Sequence, residues 1–128
     1  MKKQKKVKKR KEKTVSQLVK ELDRLFSLFI RNKYPKQCYT CGYKADKLHC
    51  GHYISRFYKQ TRWDERNCRP QCVMCNLWKR GDPVTFRAKL VDELGSSVVE
   101  QMEDSRKQIT KHNREDLLAR IASFTEKP

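Results

Sequence analysis

The stretch Cys72-Val73-Met74-Cys75-Asn76 decides the fold that we predict for this chain. Its cysteines stand in Cys-x-x-Cys spacing, and a second pair with the same spacing is formed by Cys38 and Cys41. Two such turns, each donating two thiolates, commonly bind one tetrahedral zinc ion. We therefore predict a structural zinc site with four ligands: Cys38, Cys41, Cys72 and Cys75.

The segment between the two pairs is too long for a plain four-cysteine ribbon. Thirty residues separate Cys41 from Cys72, whereas a ribbon has roughly 15 to 20. The segment must therefore have structure of its own, and we expect a hairpin region over residues 43–58 and then a loop anchored by Trp63. A short helix should begin at the second pair and end at Gly81. A zinc-binding module is thus predicted over residues 35–81.

Composition limits the class of protein. At 128 residues the chain is the size of one domain, and 37% hydrophobic residues support only a modest core without a metal. The formal charge of +16 favours a polyanionic partner, with nucleic acid ahead of a membrane surface. No apolar run reaches the length of a bilayer span, and the N-terminal end lacks the apolar segment of a signal peptide.

The six cysteines could instead form three disulfides, as they do in small secreted domains. Zinc is the better interpretation, because paired Cys-x-x-Cys motifs in a chain without export signals are typical of metal sites. Cys50 and Cys68 remain outside the pairs. We interpret both as buried thiols, and a role as substitute ligand stays open for Cys50.

Basic residues dominate the N-terminal end. Residues 2–13 contain nine Lys or Arg and a single acidic residue, Glu12, so we predict a disordered basic arm over residues 1–13. Contact with phosphates is the favoured role of this arm. The alternative is a solubilising tail.

Helices are predicted on both sides of the zinc module. Thr14 and Gln17 form a capping box, and apolar residues at steps of three and four indicate an amphipathic helix over residues 14–34. Its apolar face could be covered by C-terminal helices or by a second copy of the chain, and the small zinc module favours a homodimer. Residues 82–128 are predicted to form a helical scaffold, starting at Asp82-Pro83. The fold class is therefore α+β and mostly helical.

Two polar residues near the cysteine pairs have the chemistry of a one-metal nuclease. Hydrolysis of a phosphodiester requires an activated water and a cation that neutralises developing charge. His52 is the candidate general base, and Asn76 offers an oxygen to Mg²⁺ or Mn²⁺. The alternatives are that His52 packs or completes a zinc shell and that Asn76 bonds locally at a helix start. Asn67 is expected to bond loop backbone and hold the two ends of the site together.

Several motifs resemble, in order and spacing, the NinG (Rap) recombination proteins of lambda-type phages. These are Cys38-x-x-Cys41-Gly42, Gly51-His52-Tyr53, the run from Arg62 to Asn67, and Gln71-Cys72-Val73-Met74-Cys75-Asn76 followed by Lys79-Arg80-Gly81. The resemblance covers residues 30–101. It implies a phage-encoded, structure-selective endonuclease that acts on branched recombination intermediates in the cytoplasm of a bacterial host.

The same order of motifs is similar to phage endonuclease VII, a four-way-junction resolvase of the HNH (His-Me finger) class. That resemblance implies a zinc-stabilised treble clef, or ββα-metal fold, with His52 as general base, Asn76 as catalytic-metal ligand and Asn67 as the structural Asn. It departs at Gly51, where that family has an acidic metal ligand. A bulge at Gly51 could turn His49 towards the metal, and His49 is our first candidate for the missing ligand, ahead of Asp46, Asp64 and Glu65.

We therefore predict that the substrates are Holliday junctions or D-loops, and that a homodimer cuts them with two active sites related by a two-fold axis. The predicted phosphate contacts are basic residues of the module: Arg56, Lys59, Arg62, Arg66, Arg69, Lys79 and Arg80. The rival interpretation is a non-catalytic zinc module that binds nucleic acid, which Gly51 favours. A sequence-specific HNH nicking enzyme is the third.

Overall fold

The computed structural model describes residues 11–125, in which helices flank a two-stranded antiparallel sheet. A single wide helical turn, Met74–Trp78, follows the sheet. The predicted basic arm falls mainly on residues 1–10, which lie outside the described residues. The mixed, mostly helical class is confirmed. The elements in chain order are α1 (Val15–Lys33), β1 (His49–His52), β2 (Cys68–Gln71), α2 (Pro83–Leu94), α3 (Ser96–Asp104) and α4 (Arg114–Thr125).

Helix α1 begins at the predicted capping box. The Thr14 hydroxyl accepts from the Gln17 backbone N–H, and the Gln17 side chain accepts from the Thr14 backbone N–H. Its buried face packs against Leu117 and Ile121 of α4, with Trp63 and Cys68 in the same core. The apolar face that favoured a second copy of the chain is therefore covered within the chain.

The C-terminal segment does not form one scaffold. Helices α2 and α3 pack against each other around Phe86, Leu90 and Met102, with Ile54 from the loop after β1 in the same core. Helix α4 instead joins the core of α1. Helices α2 and α3 therefore pack on one side of the central module, and α4 packs with α1 on another. No helix within the described part of the chain is long and apolar enough to cross a lipid bilayer.

The two strands are farther apart in sequence than the predicted hairpin. Only β1 lies within residues 43–58, and its partner is β2, with His49 opposite Gln71 and His52 opposite Cys68. The loop between them carries Trp63, which is buried as predicted. Alternation along β1 therefore places Cys50 and His52 on one face of the sheet and His49 and Gly51 on the other.

The predicted bulge at Gly51 is wrong. Gly51 pairs in regular register with Arg69, and the pairing is continuous across both strands. The glycine is required for another reason, because a Cβ at this position would lie 2.0 Å from Oε1 of Gln71. The buried Gln71 side chain occupies the space that a side chain at residue 51 would need.

Candidate functional site

Four cysteines from the two Cys-x-x-Cys turns converge as predicted. The Sγ atoms of Cys38, Cys41, Cys72 and Cys75 all lie within 4.8 Å of one another, and Cys41 Sγ lies 3.7 Å from Cys72 Sγ. Ligands about 2.3 Å from a tetrahedral zinc ion are separated by roughly 3.8 Å. All six cysteines of the chain are free thiols. The four-cysteine cluster therefore fits a metal ion such as zinc.

The surroundings of the cluster favour ionisation of the Cys38 thiol and oppose ionisation of the Cys75 thiol. Burial opposes ionisation of Cys38, but hydrogen bonds from the Thr40 hydroxyl and nearby backbone N–H groups outweigh it and lower the pKa of Cys38 to about 6. Burial and the neighbouring thiols raise the pKa of Cys75 to about 12. Thiolates held this close together repel one another, and a bound divalent cation would remove that repulsion.

Gln71, at the end of β2, bonds both the turn of the first cysteine pair and the backbone at Gly81. Its Nε2 donates to the Thr40 hydroxyl at 3.1 Å and to the Gly81 carbonyl at 2.9 Å. Gly81 has a φ of +87°, which ends the helical segment after the second pair as predicted. Gln71 Oε1 is buried against Gly51 without a protein hydrogen-bond partner. This side chain therefore ties the turn of the first cysteine pair, and the end of the helical segment at Gly81, to β2.

A series of hydrogen bonds links His52 to helix α1. Its Nε2 lies 2.9 Å from the Arg62 carbonyl oxygen. The Arg62 guanidinium in turn donates two hydrogen bonds to Asp23, at 3.0 and 2.6 Å, and Trp63 Nε1 donates a third at 2.9 Å. Burial raises the pKa of Asp23, but these bonds outweigh burial and lower it, so the carboxylate stays charged.

The environment of His52 favours the neutral imidazole. Burial is the largest influence and lowers its pKa below the ordinary value of 6.5. A carbonyl oxygen can only accept a hydrogen bond, so in the neutral ring Nε2 carries the hydrogen and Nδ1 keeps a lone pair. A neutral imidazole with one unprotonated nitrogen can act as a base or as a metal ligand.

Asn67 bonds loop backbone as predicted. It is fully buried, and its Oδ1 accepts from the Ile54 N–H at 2.8 Å while its Nδ2 donates to the Ile54 and Thr61 carbonyls at 3.0 and 3.2 Å. These bonds tie the chain just after β1 to the chain just before β2. Asn67 therefore closes the long loop between the two strands.

Asn76 and His49 meet at the other face of β1. Asn76 Nδ2 lies 3.0 Å from His49 Nδ1, although no bulge is needed to bring them together. The other ligand candidates are engaged elsewhere, since Asp64 pairs with Arg66 and Glu65 with Lys33. Asp46 is exposed and does not line the groove described next.

A basic groove of about 630 Å³ brings the candidates together. It is bounded by α1, the free edge of β1 and the Met74–Trp78 turn, and His49, His52 and Asn76 all line it. Asp23 is the only acidic residue among the described residues that line the groove. Three arginines also line it: Arg31, Arg56 and Arg80. The groove therefore presents two histidines and an amide in a positively charged wall.

The predicted phosphate contacts divide into exposed and structural residues. Arg69 is only 1% exposed, so its prediction as a phosphate contact is wrong. It donates to Glu93 and to the Glu65 and Cys68 carbonyls. Arg62 is neutralised by Asp23. The exposed members of the predicted set are Arg56, Lys59, Arg66, Lys79 and Arg80.

Sequence reasoning missed Asp23, Arg31, Gln71 and Glu93. Arg31 lies in the last turn of α1, and its helical position gave no indication that it would face the strand pair. Asp23 and Glu93 lie on helices α1 and α2, and each accepts from an arginine that is distant in sequence, Arg62 or Arg69. A second cluster also went unpredicted, in which donor atoms of Cys50, His52 and Cys68 lie within 4.8 Å of one another.

Comparison with known proteins gives a consistent family. The family model described as bacteriophage lambda NinG protein matches residues 1–127. Proteins named ninG from Escherichia phage 933W, Salmonella phage P22 and Escherichia phage lambda are 32%, 33% and 31% identical, respectively, over 99, 92 and 99 residues. These alignments cover 75%, 70% and 75% of this chain and 46%, 45% and 46% of the relatives. The chain thus spans about half the length of the curated relatives it matches. No solved structure matches.

Proposed function

This chain belongs to the bacteriophage lambda NinG family, and from that premise we propose that it is a metal-dependent endonuclease acting on branched DNA. Its proposed substrates are recombination intermediates such as Holliday junctions and D-loops. The observation that carries the proposal is the groove in which His49, His52 and Asn76 stand together among three arginines. A treble-clef, HNH-like description of residues 35–81 belongs to the same proposal, supported by the order cysteine pair, strand pair, cysteine pair.

His52 is the general base in this proposal. Its lowered pKa favours the neutral ring near physiological pH, and Nδ1 is the nitrogen that can accept a proton from the attacking water. The bond from Nε2 to the Arg62 carbonyl fixes the ring, and the ion pair between Arg62 and Asp23 fixes the loop that carries this carbonyl. Asp23 and Arg62 are therefore positioning residues for the base.

Asn76 and His49 hold the catalytic metal in this proposal. The amide oxygen and nitrogen of Asn76 can exchange places by rotation, which would put Oδ1 3.0 Å from His49 Nδ1. Adjacent ligands around an octahedral ion with bonds of about 2.1 Å are separated by roughly 3 Å. Mg²⁺ or Mn²⁺ bound here supplies Lewis-acid stabilisation of the charge that develops on the phosphate.

DNA binds through exposed basic residues around the groove. The proposed contacts are Arg56, Lys59, Arg66, Lys79 and Arg80, with Arg31 added from α1. Contacts to phosphate carry no base information, so the protein recognises the shape of the branch more than its sequence. The basic residues of the N-terminal arm extend the same electrostatic attraction and make binding depend steeply on salt.

Paired incision of a four-way junction needs two active sites, so the proposal includes a homodimer. Because α4 covers the apolar face of α1, the contact between copies uses another surface. The dimer is expected to act in the cytoplasm of the bacterial host, where phage DNA recombines. Sedimentation of the protein with and without a four-way junction tests this part separately from catalysis.

Cleavage of matched DNA substrates tests the enzyme. A labelled four-way junction and a linear duplex of the same sequence are incubated with Mn²⁺, Mg²⁺ or EDTA. We expect metal-dependent cutting of the junction and little cutting of the duplex. His52→Ala should lower the rate by about 10²- to 10⁴-fold, the usual contribution of a general base. His112→Ala is the matched control, since His112 also bonds a backbone carbonyl through Nε2 but lies outside the groove.

Each result separates the candidate functions. Full activity of His52→Ala would show that another group is the base. Equal cutting of both substrates would remove junction selectivity, and cutting of the duplex at one sequence would favour a sequence-specific nicking enzyme. No metal-dependent cutting of either substrate would reject the enzyme.

A non-catalytic zinc-binding module that binds nucleic acid is the second candidate. The groove chemistry favours it in one respect, because the single acidic residue lining the described part of the groove, Asp23, is already held by Arg62 and Trp63. A hard divalent cation usually has at least one carboxylate ligand in proteins. This module would bind junctions with the same salt dependence but would leave them uncut.

A further inference from the structure

A second group of metal-binding side chains lies on one face of the sheet. Donor atoms of Cys50, His52 and Cys68 all fall within 4.8 Å of one another. Strand alternation explains the grouping, because Cys50 and His52 are two residues apart on β1 and Cys68 pairs with His52 across the sheet. The four-cysteine cluster is made by different residues, so the two groups are separate.

The chemistry of this group suits a thiophilic divalent cation. Two thiolates and one imidazole are a known ligand set for zinc and leave a fourth coordination position open. His52 already has the arrangement usual for a metal-bound histidine, in which the ring nitrogen that does not bind the metal donates to a backbone carbonyl. Here the Arg62 carbonyl satisfies Nε2, so Nδ1 is the nitrogen available to a metal.

The site is reachable from the groove. Cys50 and His52 both line it, whereas Cys68 is fully buried behind them and packs in the core with Leu18 and Trp63. An ion would therefore enter from the groove and meet the buried thiol last. The open fourth position would face the groove.

We infer that Cys50, His52 and Cys68 form a second site for a zinc-class cation, and that its occupancy withdraws His52 from catalysis. Binding displaces the two thiol protons and forms bonds from both sulfurs and one imidazole nitrogen to the ion. No oxidant or reductant takes part. The inhibition rests on the proposed nuclease function, whereas the binding of the ion does not.

Cobalt binding tests the site directly. The 128-residue protein, carrying one equivalent of zinc and kept reduced, is titrated with Co²⁺, and the thiolate-to-cobalt charge-transfer band is followed. We expect a second equivalent to bind in the wild type. Cys50→Ser should weaken this second equivalent by more than the roughly 10- to 100-fold that follows loss of a ligand's hydrogen-bond partner. His112→Ala is the matched control and should retain the band, because His112 lies outside the groove and bonds the Lys59 carbonyl through its Nε2.

Alkylation and zinc inhibition provide two further tests. Alkylation needs no substitution of the buried Cys68: the second equivalent of zinc should protect Cys50 of the wild type from alkylation, as located by mass spectrometry. Binding that stops at one equivalent, or a charge-transfer band unchanged in Cys50→Ser, would overturn the site. If the nuclease is active, excess zinc should inhibit the wild type but not Cys50→Ser. Equal inhibition of the two would overturn the regulatory part alone.

Discussion

Replacement of Arg69 by alanine separates a structural arginine from a DNA-binding one. Arg69 is 1% exposed, and its guanidinium donates to Glu93 at 3.1 and 2.9 Å and to the Glu65 and Cys68 carbonyls at 2.8 and 2.7 Å. It also lies 4.6 Å from the centre of the Tyr34 ring. The side chain therefore ties α2 and the long loop to β2.

The expected loss of stability follows from these contacts. Truncation of one partner of a buried ion pair typically costs about 3–5 kcal/mol. Glu93 is 41% exposed at its side chain and can rehydrate, which favours the lower end of this range. The Glu65 and Cys68 carbonyls also lose a donor, but water that enters the space left by the arginine can replace it, so they add little. We therefore expect Arg69→Ala to lose about 3–5 kcal/mol, a fall in Tm of roughly 10–20 °C.

Arg80→Asn is the matched comparison. Arg80 is exposed, lines the groove and has a φ of +52°, a conformation that asparagine tolerates. Its replacement should leave Tm within a few degrees but reduce the salt dependence of junction binding by about one phosphate contact. Urea unfolding measures stability, and fluorescence anisotropy at several salt concentrations measures binding. An Arg69→Ala protein with unchanged stability and weakened DNA binding would refute the structural assignment.

Three further predictions concern the metal cluster, the sheet and the histidine. Cys72→Ser should unfold much of residues 35–81, because the metal's binding free energy is also folding free energy; a wild-type far-UV spectrum and melting curve would contradict this. Gly51→Ala should cost about 1–3 kcal/mol, since its Cβ would lie 2.0 Å from Gln71 Oε1. In a double-mutant cycle, Gln71→Ala should relieve part of that cost, and strictly additive losses would show that the two residues do not clash. The pKa of His52 in the folded chain is below the ordinary value of 6.5. As pH falls below 6.5, the unfolded chain therefore takes up a proton before the folded chain does, and the free energy of unfolding decreases. Urea unfolding at several pH values from about 8 to about 5.5 should show that the free energy of unfolding decreases less in His52→Gln than in the wild type.

Local sequence patterns predicted the features that depend on neighbouring residues. The capping box at Thr14, the start of α2 at Pro83 and the turn at Gly81 follow from backbone conformation and hydrogen bonding within a few residues. The four-cysteine cluster was predictable for a related reason, since each Cys-x-x-Cys turn presents two thiols from one short segment. Asn67 was predictable because its short amide side chain favours bonds to loop backbone.

Long-range packing decided what these patterns left open. The apolar face of α1 has the same pattern whether α4 or a second copy covers it, and only the folded chain shows that α4 does. The partner of β1 lies beyond a loop that contains Trp63, so strand propensity alone could not identify it. Burial also cannot be read from residue type, which is why Arg69 and Arg80 looked alike in sequence.

The sequence by itself determined that four cysteines would form a metal-binding cluster within a mostly helical, basic chain, because spacing and composition act locally. The tertiary structure alone decided what stands around Asn76 of the opening stretch. His49 reaches Asn76 from one face of β1, while His52 turns to the other face with Cys50 and Cys68. The physical reason is the register in which β1 pairs with β2, because this register decides which side chains of β1 lie on each face of the sheet. The alternation of that one strand separates the proposed catalytic-metal ligands from the second cysteine and histidine group.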